Sequence, residues 1–378
     1  MNKYLFFLGI HPELSTAEIK AVFSGLNINY KIEQSSKKNL IVLTQNELDT
    51  DNLINRLGGT IKIALSIGED NNINTVVNFL MNSQPDGKIQ FSLSGIGEKE
   101  PLNVKKLLKD KGRSVRYVKI KNTASILHNN LVKKQGDLSI VGKNVYVTKA
   151  IQPIEELSKR DFGRPGSDSF SGMLPPKLAR IMINLTETNF DANLLDAFCG
   201  SGTVLSEALA MGYKNIFASD ISPKAISDTE KNIKWTLQMQ NEKFRMNNVD
   251  YKLFNCDVAE LTKKIKTNSI DAIISEPYMG KPLRGNENKK ILQNQSEELS
   301  QLYVSAFNAF KKILVSGGIV VFIIPSFKYM NNWIQIDCVD KINNIGFEVK
   351  KFDPNTDSLE YYREGQHLKR NIWMFIKK

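Results

Sequence analysis

The chain has few of the residues that bind metals, staple small domains or cross membranes. Among its 378 residues there are three cysteines and three histidines. Cys199, Cys256 and Cys338 are odd in number and share no paired spacing, which argues against a disulfide framework or a zinc site and for a reducing compartment. His11, His128 and His367 lie far apart in the sequence, so none is read as catalytic, and His128 reads as a packing or polar surface residue on a helix. No metal is expected. The apolar run Tyr4–Ile10 is far shorter than the roughly 20 residues that cross a bilayer, and no cleavage-like site follows it. It reads as a strand, and a cytoplasmic protein with no membrane partner is expected. There is no Gly-x-x-x-x-Gly-Lys-Ser/Thr segment, which disfavours a P-loop nucleotide site.

What the chain does have is ample apolar material and a surplus of positive charge. Apolar residues make up 41% and charged residues 24%, enough for the several cores of a two- or three-domain enzyme. The net charge of +11 is uneven, with residues 1–160 carrying 23 Lys and Arg against 15 Asp and Glu. The excess is densest in Lys99, Lys105, Lys106, Lys109, Lys111, Arg113, Arg116, Lys119 and Lys121. Such a module suits a polyanionic substrate whose phosphates these side chains would hold, and equally suits a solvated lysine-rich face.

The chain is organised around Leu194–Leu205, which reads as a buried strand, a tight turn at Gly200 and Gly202, and the start of a helix with free backbone N–H groups. Asp220 closes the next apolar run about 20 residues later, where a carboxylate accepts ribose hydroxyls. Asp257 ends a third strand. The turn lacks the third glycine of the dinucleotide fingerprint and has Asp196 just before it. That carboxylate would repel a pyrophosphate but attract an amino-acid ammonium. These residues resemble the first motif, Asp-x-Phe-x-Gly-x-Gly, of the S-adenosyl-L-methionine (SAM) methyltransferases. The resemblance implies that Asp196, Phe198, Cys199, Gly200, Ser201, Gly202 and Thr203 surround the methionine part of SAM. It likewise places Asp220 with Ile221 on the ribose, and Asp257 with Val258 on the adenine edge.

The first segment reads as strand, helix, strand, helix, strand: Tyr4–Ile10, a helix opened by a capping box at Ser15–Glu18, Asn39–Leu43, Asp51–Leu57 and Thr60–Ile67. That order fits a ferredoxin-like α+β unit with one strand unaccounted for. Helix 75–82, strand Lys88–Leu93, helix Val104–Leu108, strand Val115–Ile120, helix Thr123–Lys134 and a strand pair over Asp137–Lys149 follow. His11–Ile19 and Ala124–Leu131 resemble the ferredoxin-like region and THUMP domain of RNA-modifying enzymes, in which THUMP docks the acceptor end of tRNA. Residues 1–68 are therefore expected to be ferredoxin-like and 69–157 to be a THUMP domain. The turn-rich stretch Arg160–Gly166 marks a linker, 158–175, before a Rossmann-like methyltransferase domain, 176–378. Gly172–Leu185, with Pro175 and Pro176 opening a helix, is similar to the segment before the cofactor motif in THUMP-containing tRNA guanine-N2 methyltransferases.

The catalytic signal is Ile270–Tyr278, a strand ending in Ser275-Glu276-Pro277-Tyr278. An exocyclic amine is a poor nucleophile because its lone pair is delocalised into the ring. Acceptors around its hydrogens align that lone pair with a sulfonium methyl, and an aromatic face holds the unstacked base. Related enzymes carry Asp/Asn-Pro-Pro-Tyr/Phe here. In this chain either Ser275 replaces the acid or, with a one-residue shift, Glu276 does. Glu276 is the favoured carboxylate and Tyr278 the stacking ring. In the polar loop that follows, Lys281 and Arg284 are candidates for phosphates, with Lys105, Lys106, Lys109, Arg113 and Arg116 from the basic module. Tyr361–Arg370 reads either as an RNA contact or as a hairpin connection. The resemblance implies SAM as cofactor, tRNA as partner and methylation of guanosine N2, position ten, mono- or dimethylated; a small activator protein stays open. The alternatives are a DNA amino-methyltransferase or a non-catalytic SAM- and RNA-binding protein.

Overall fold

The computed structural model describes residues 1–166, 173–244 and 249–378, and the chain divides into two compact units. The first comprises Met1–Pro12 and Asn27–Pro153, the second Glu13–Leu26 and Ile154–Lys378. Residues 167–172 of the expected linker lie outside the described residues. No described helix is long and apolar enough to cross a membrane.

The first unit is built on one eight-stranded sheet in the order β2-β3-β1-β4-β8-β7-β5-β6. The strands are β1 (Asn2–Leu8), β2 (Tyr30–Ser35), β3 (Asn39–Thr44), β4 (Thr60–Gly68), β5 (Ile89–Ser94), β6 (Val115–Tyr117), β7 (Asp137–Val141) and β8 (Asn144–Ile151). The first four pair antiparallel in the order expected of a ferredoxin-like unit. The strand missing from the sequence reading is β2. It lies at the sheet edge with nearly every residue exposed, so it carries no apolar alternation to reveal it. Pairing of β4 with β8 joins the strands of the two expected modules into one sheet. Helix Thr123–His128 is much shorter than the sequence suggests, and the chain turns through residues 129–135.

A buried polar knot ties the sheet of this unit. Asp137 accepts from Lys62 Nζ at 2.8 Å, Ser92 Oγ at 2.5 Å and Thr148 Oγ1 at 2.6 Å, linking β7 to β4, β5 and β8. Lys62 also lies over the Phe7 ring.

The second unit carries a nine-stranded sheet in the order β11-β10-β9-β12-β13-β17-β15, with β14 on β13 and β16 on β17. Its strands are β9 (Asn193–Asp196), β10 (Asn215–Asp220), β11 (Asp250–Asn255), β12 (Ile270–Ser275), β13 (Leu314–Tyr329), β14 (Asn332–Gln335), β15 (Phe347–Val349), β16 (Ser358–Tyr361) and β17 (Leu368–Lys377). The strands from β11 to β13 run parallel, and β17 is antiparallel to β13. Side chains alternate between the two faces, with Leu194, Ala272, Ile274 and Val321 in one core and Leu195, Ile273, Val320 and Phe322 in the other. Tyr361 and Arg370 pair at the loop end of the hairpin β16–β17, so the stretch between them connects two strands.

The helix Pro12–Gly25 departs from its expected start. It begins at Pro12, and Ser15 and Glu18 lie inside it, both buried. The Glu18 carboxylate accepts from Asn184 Nδ2 at 2.7 Å instead of closing a capping box, and Leu14 and Ala21 join the apolar cluster of Leu178 and Met182. Helix Ile154–Phe162 occupies the start of the stretch read as linker. Its Arg160 and helical Arg180 share the buried Glu207, each Nε donating to one carboxylate oxygen at 2.6 Å.

Breaking the Lys62–Asp137 pair from one side leaves a buried carboxylate without its counter-charge, and Lys62→Met is expected to cost about 3 kcal/mol. Urea unfolding of the intact chain measures it. A change within about 0.5 kcal/mol would mean that Ser92 and Thr148 alone satisfy Asp137.

Candidate active site

Parallel strands deliver their C-terminal ends to one edge of the sheet, and the chain reverses its direction of travel between β9 and β12, where a crevice opens. In sheet order that edge carries Asp257 after β11, Asp220 ending β10, Asp196 ending β9 and Ser275-Glu276 ending β12. The register pairs Ile273 with Leu195, which brings Asp196 beside the end of β12.

Asp196 is 4% exposed. Its Oδ1 accepts from Ser275 Oγ at 2.9 Å and from the Phe198 N–H at 3.2 Å. Burial pushes its carboxyl up to about 7 against the opposing pull of Ser275 and Phe198, with Asp220 and Glu276 adding repulsion. Ser275 is fully buried and also accepts from the Ala197 N–H at 2.9 Å. Its hydroxyl is a bridge between two strand ends.

The glycine turn is shaped by backbone and hydrogen bonds. Gly200 and Gly202 take φ of +52° and +79°, and a Cβ at Gly200 would stand in open space. A Cβ at Gly202 would come within 2.9 Å of the Thr229 side chain, so the turn also requires glycine for packing. The Gly200 N–H donates to Asp220 Oδ2 at 3.0 Å, and the carbonyl of Ser201 accepts from the buried Asn232 at 2.7 Å. Gly202 then leads into helix Thr203–Met211, which has no side-chain N-cap. Asp220 Oδ1 accepts from the Ser222 N–H, and the Ile221 side chain beside it is 69% exposed. Cys199 is buried, and burial holds its thiol well above the usual range, so it is an inert packing residue. Phe198 packs edge-on against Phe322. Asp257 caps the short helix Val258–Lys263 through the Ala259 N–H, and the Val258 side chain is in the core.

After β12 the chain presents Glu276 and Tyr278 differently. Glu276 Oε1 accepts from Arg370 Nε at 2.5 Å, in a pair whose side chains are 11% and 13% exposed. Burial raises the Glu276 carboxyl and Arg370 pulls it back down. Pro277 is buried, whereas Tyr278 is 57% exposed and its carbonyl accepts from the buried Tyr303 hydroxyl at 2.8 Å. The turn is thus pinned while the ring stays outside. Arg370, the partner of Glu276 at the candidate site, is a residue that the sequence reading did not single out. The basic-aromatic stretch around it was visible, but only pairing of β17 with β13 carries it to Glu276.

Of the basic candidates in the first unit, Lys106, Lys109 and Arg116 are exposed and Lys105 half-buried. Arg113 is turned inward, donating to the Gln84 carbonyl at 2.7 Å and to that of Gly87, so it closes the end of helix Ile73–Ser83. Lys281 and Arg284 in the second unit are exposed. Their loop is held by Glu287, which accepts from the Arg284 and Gly285 N–H groups, and by Gln295, which accepts from that of Lys281.

The family described as UPF0020, the RMKL-like methyltransferase domain, matches residues 167–345. A tRNA (guanine(10)-N2)-dimethyltransferase of Methanocaldococcus jannaschii is 25% identical over 329 residues, 81% of this chain and 90% of that protein. One of Methanothermobacter thermautotrophicus is 27% identical over 177 residues, and the match spans 47% of this chain and 44% of that relative. TrmN from Thermus thermophilus superimposes over the whole of both chains with a TM-score of 0.54 at 14% identity, a likeness of fold.

A carboxyl raised in the folded state stabilises the protein where it is protonated, and that contribution is lost as pH rises from its unfolded value toward about 7. Unfolding free energy of the intact chain is therefore expected to fall between pH 4 and 8 by on the order of 3–4 kcal/mol more than that of Asp196→Asn. Equal pH dependence in both proteins would show that Asp196 titrates normally.

Proposed function

We propose that this chain, which belongs to the family of RMKL-like methyltransferases, transfers a methyl group from SAM to the exocyclic N2 of a guanosine in tRNA. The relatives' names point to position 10. The observation that carries the reading is the junction at the ends of β9 and β12, where buried Asp196 stands beside a pinned Glu276-Pro277-Tyr278 turn with its ring exposed.

The residues fit the cofactor. An uncapped helix start, open space above Gly200 and a buried acid at Asp196 suit the amino-acid end of SAM, and Asp220 with the exposed Ile221 suits the ribose. Asp257 and the Val258 backbone border the adenine side. When bound, SAM supplies a methyl already activated by its sulfonium, so the protein's task is to position the amine.

Ser275 is committed to Asp196 and Ala197, and Glu276 takes the place of the family's acid. With Oε1 held by Arg370, the remaining carboxylate oxygen of Glu276 has no partner among the described residues and accepts a hydrogen of the amine. That bond orients the nitrogen lone pair, and Arg370 favours the charged carboxylate needed to make it. The exposed Tyr278 ring stacks on the guanine after it leaves the helix stack. Residues 1–68, whose helical segment Glu13–Leu26 belongs to the second unit, act as the ferredoxin-like part, and 69–157, all but the last four in the first unit, as the THUMP domain. There Lys105, Lys106, Lys109 and Arg116 meet tRNA phosphates, and Lys281 and Arg284 serve the same purpose in the second unit. A cytoplasmic location goes with this substrate.

Incubation with labelled SAM and unmodified tRNA, followed by nucleoside analysis, is expected to yield N2-methylguanosine or its dimethyl form. Label in another base, or in duplex DNA alone, would sink the guanine-N2 assignment. Glu276→Gln should lower kcat by about 100-fold or more with S-adenosylhomocysteine binding intact. Arg370→Gln should move the acidic limb of the pH–rate profile to higher pH, because its charge lowers the Glu276 carboxyl. An unshifted profile with reduced kcat would assign Arg370 to packing.

A further inference from the structure

One strand of the second unit outruns its neighbours at the edge that carries the candidate site. Ser275, the last residue of β12, is level with Phe322, and β13 continues from there to Tyr329. Pro325 is level with Arg370, the partner of Glu276, so Tyr329 lies about 13 Å farther along the strand. There Tyr329 pairs with Asn332, and the chain turns back through Met330 and Asn331 into β14. Side chains from three other segments brace this hairpin. The Trp333 ring, opposite Lys328, meets the Tyr362 ring edge-on at 5.2 Å and has Lys369 Nζ 4.6 Å from its centroid. Lys369 is held in turn by Glu360 at 2.5 Å. Ser296 and Ser300, on the helix Lys289–Ile313, donate to the carbonyls of Gln335 and Asp337 at and just beyond the end of β14.

The braced hairpin holds out an apolar side chain in an unfavourable conformation. Met330 is 74% exposed, and its φ of +54° is in the left-handed region. Two-residue hairpin turns use such a φ, but glycine or asparagine ordinarily supplies it, because a Cβ is crowded there. A single exposed apolar residue is commonplace. One held at positive φ on the tip of a stiffened hairpin, beyond the level of Glu276, is the kind of local strain that is retained where it serves a site. We propose that Met330 is a wedge that enters the base stack of the RNA where the target guanosine leaves it. The proposal rests on the tRNA reading above. A base inside a stem must unstack before its exocyclic amine reaches Glu276, and an unbranched, polarisable thioether suits the gap between the bases left behind. Half-buried Lys328 and exposed Arg363, next to Tyr362, put positive charge beside the hairpin for the flanking phosphates; of the acidic groups there, Glu360 is already paired with Lys369 and Glu364 is exposed. A protein partner is the other occupant for an apolar tip. The exposed residues following Met330 are Asn331 and Asn332, so the tip has little apolar area for a protein to bury, whereas stacked bases offer an apolar slot one side chain wide.

The test uses the full-length chain with S-adenosylhomocysteine and a tRNA carrying 2-aminopurine next to guanosine 10, a probe whose fluorescence rises when stacking is lost. The unaltered chain is expected to raise the signal about threefold or more. Met330→Gly is expected to lose most of that rise while still binding the tRNA, and Met330→Leu to recover it. Its thermal midpoint should be nearly unchanged, because relief of the positive φ offsets the greater freedom of glycine in the unfolded chain. In methylation assays Met330→Gly should lower kcat/KM about 10-fold or more on tRNA with guanosine 10 paired, and less than about 2-fold where a mismatch has already freed the base. Equal losses on the two tRNAs would overturn the wedge. An undiminished fluorescence rise in Met330→Gly would overturn it too and leave the tip to a protein partner. A flat signal from the unaltered chain, with methylation at guanosine 10, would show that no base beside the target is unstacked. Methylation at another nucleoside, or none, would instead overturn the guanosine-10 reading, a result distinct from these.

Discussion

The hydrogen bond from Ser275 to Asp196 couples the two strand ends on which the candidate active site depends. A parallel sheet needs crossovers, and crossovers leave every strand end at the same edge. Adjacent strands β9 and β12 come from segments nearly eighty residues apart, and only at their ends do the glycine turn and the Ser275–Tyr278 turn meet. One serine hydroxyl donates to the acid of the first motif and accepts the N–H that follows it. The residue that departs from the acid-Pro-Pro-aromatic pattern of the enzymes this chain resembles is thus used to register one strand end against the other. Glu276, one position later, is the acid of the proposed mechanism.

That shift has an electrostatic consequence. A glutamate reaches farther than an aspartate and has more conformations to lose, and Arg370 limits them by holding one oxygen. The same partner opposes the cost of burying the carboxylate. The site therefore contains two acids of different character, an Asp196 whose protonation burial favours and a Glu276 that carries its own counter-charge. Across the glycine turn two buried arginines share Glu207, and a third, Arg164, is buried with Asp161 and Glu207 as its acidic neighbours.

Much of this site was legible in the sequence because its geometry is local. A strand, two glycines at positive φ and a following helix are set within a dozen residues. The end of β12 announces itself as an apolar run closed by a proline and an aromatic. The parallel order, with an acid at each strand end, follows once those units are placed in one sheet. What escaped notice shares a physical character. Strand β2 is an exposed edge without alternation, and Arg113 resembles its neighbouring lysines although it serves a helix end. The Ser15–Glu18 pattern matches a capping box, yet its glutamate is consumed by Asn184 from a distant segment.

The amino-acid sequence by itself determined the local units of this protein: the glycine turn after a strand, the strand closed by Glu276-Pro277-Tyr278 and the sheet-forming runs. These follow from backbone conformational preferences and hydrophobic periodicity, which act over a few residues. Only the tertiary structure decided the partners of the charged and polar side chains: Ser275 with Asp196, Arg370 with Glu276, Glu207 with two arginines, and Arg164 at the helix start. Such pairings cannot be read along the chain because burial removes water as the competing partner. Each group then bonds to whatever the packed sheet and helices bring within reach, and that neighbour comes from anywhere in the sequence.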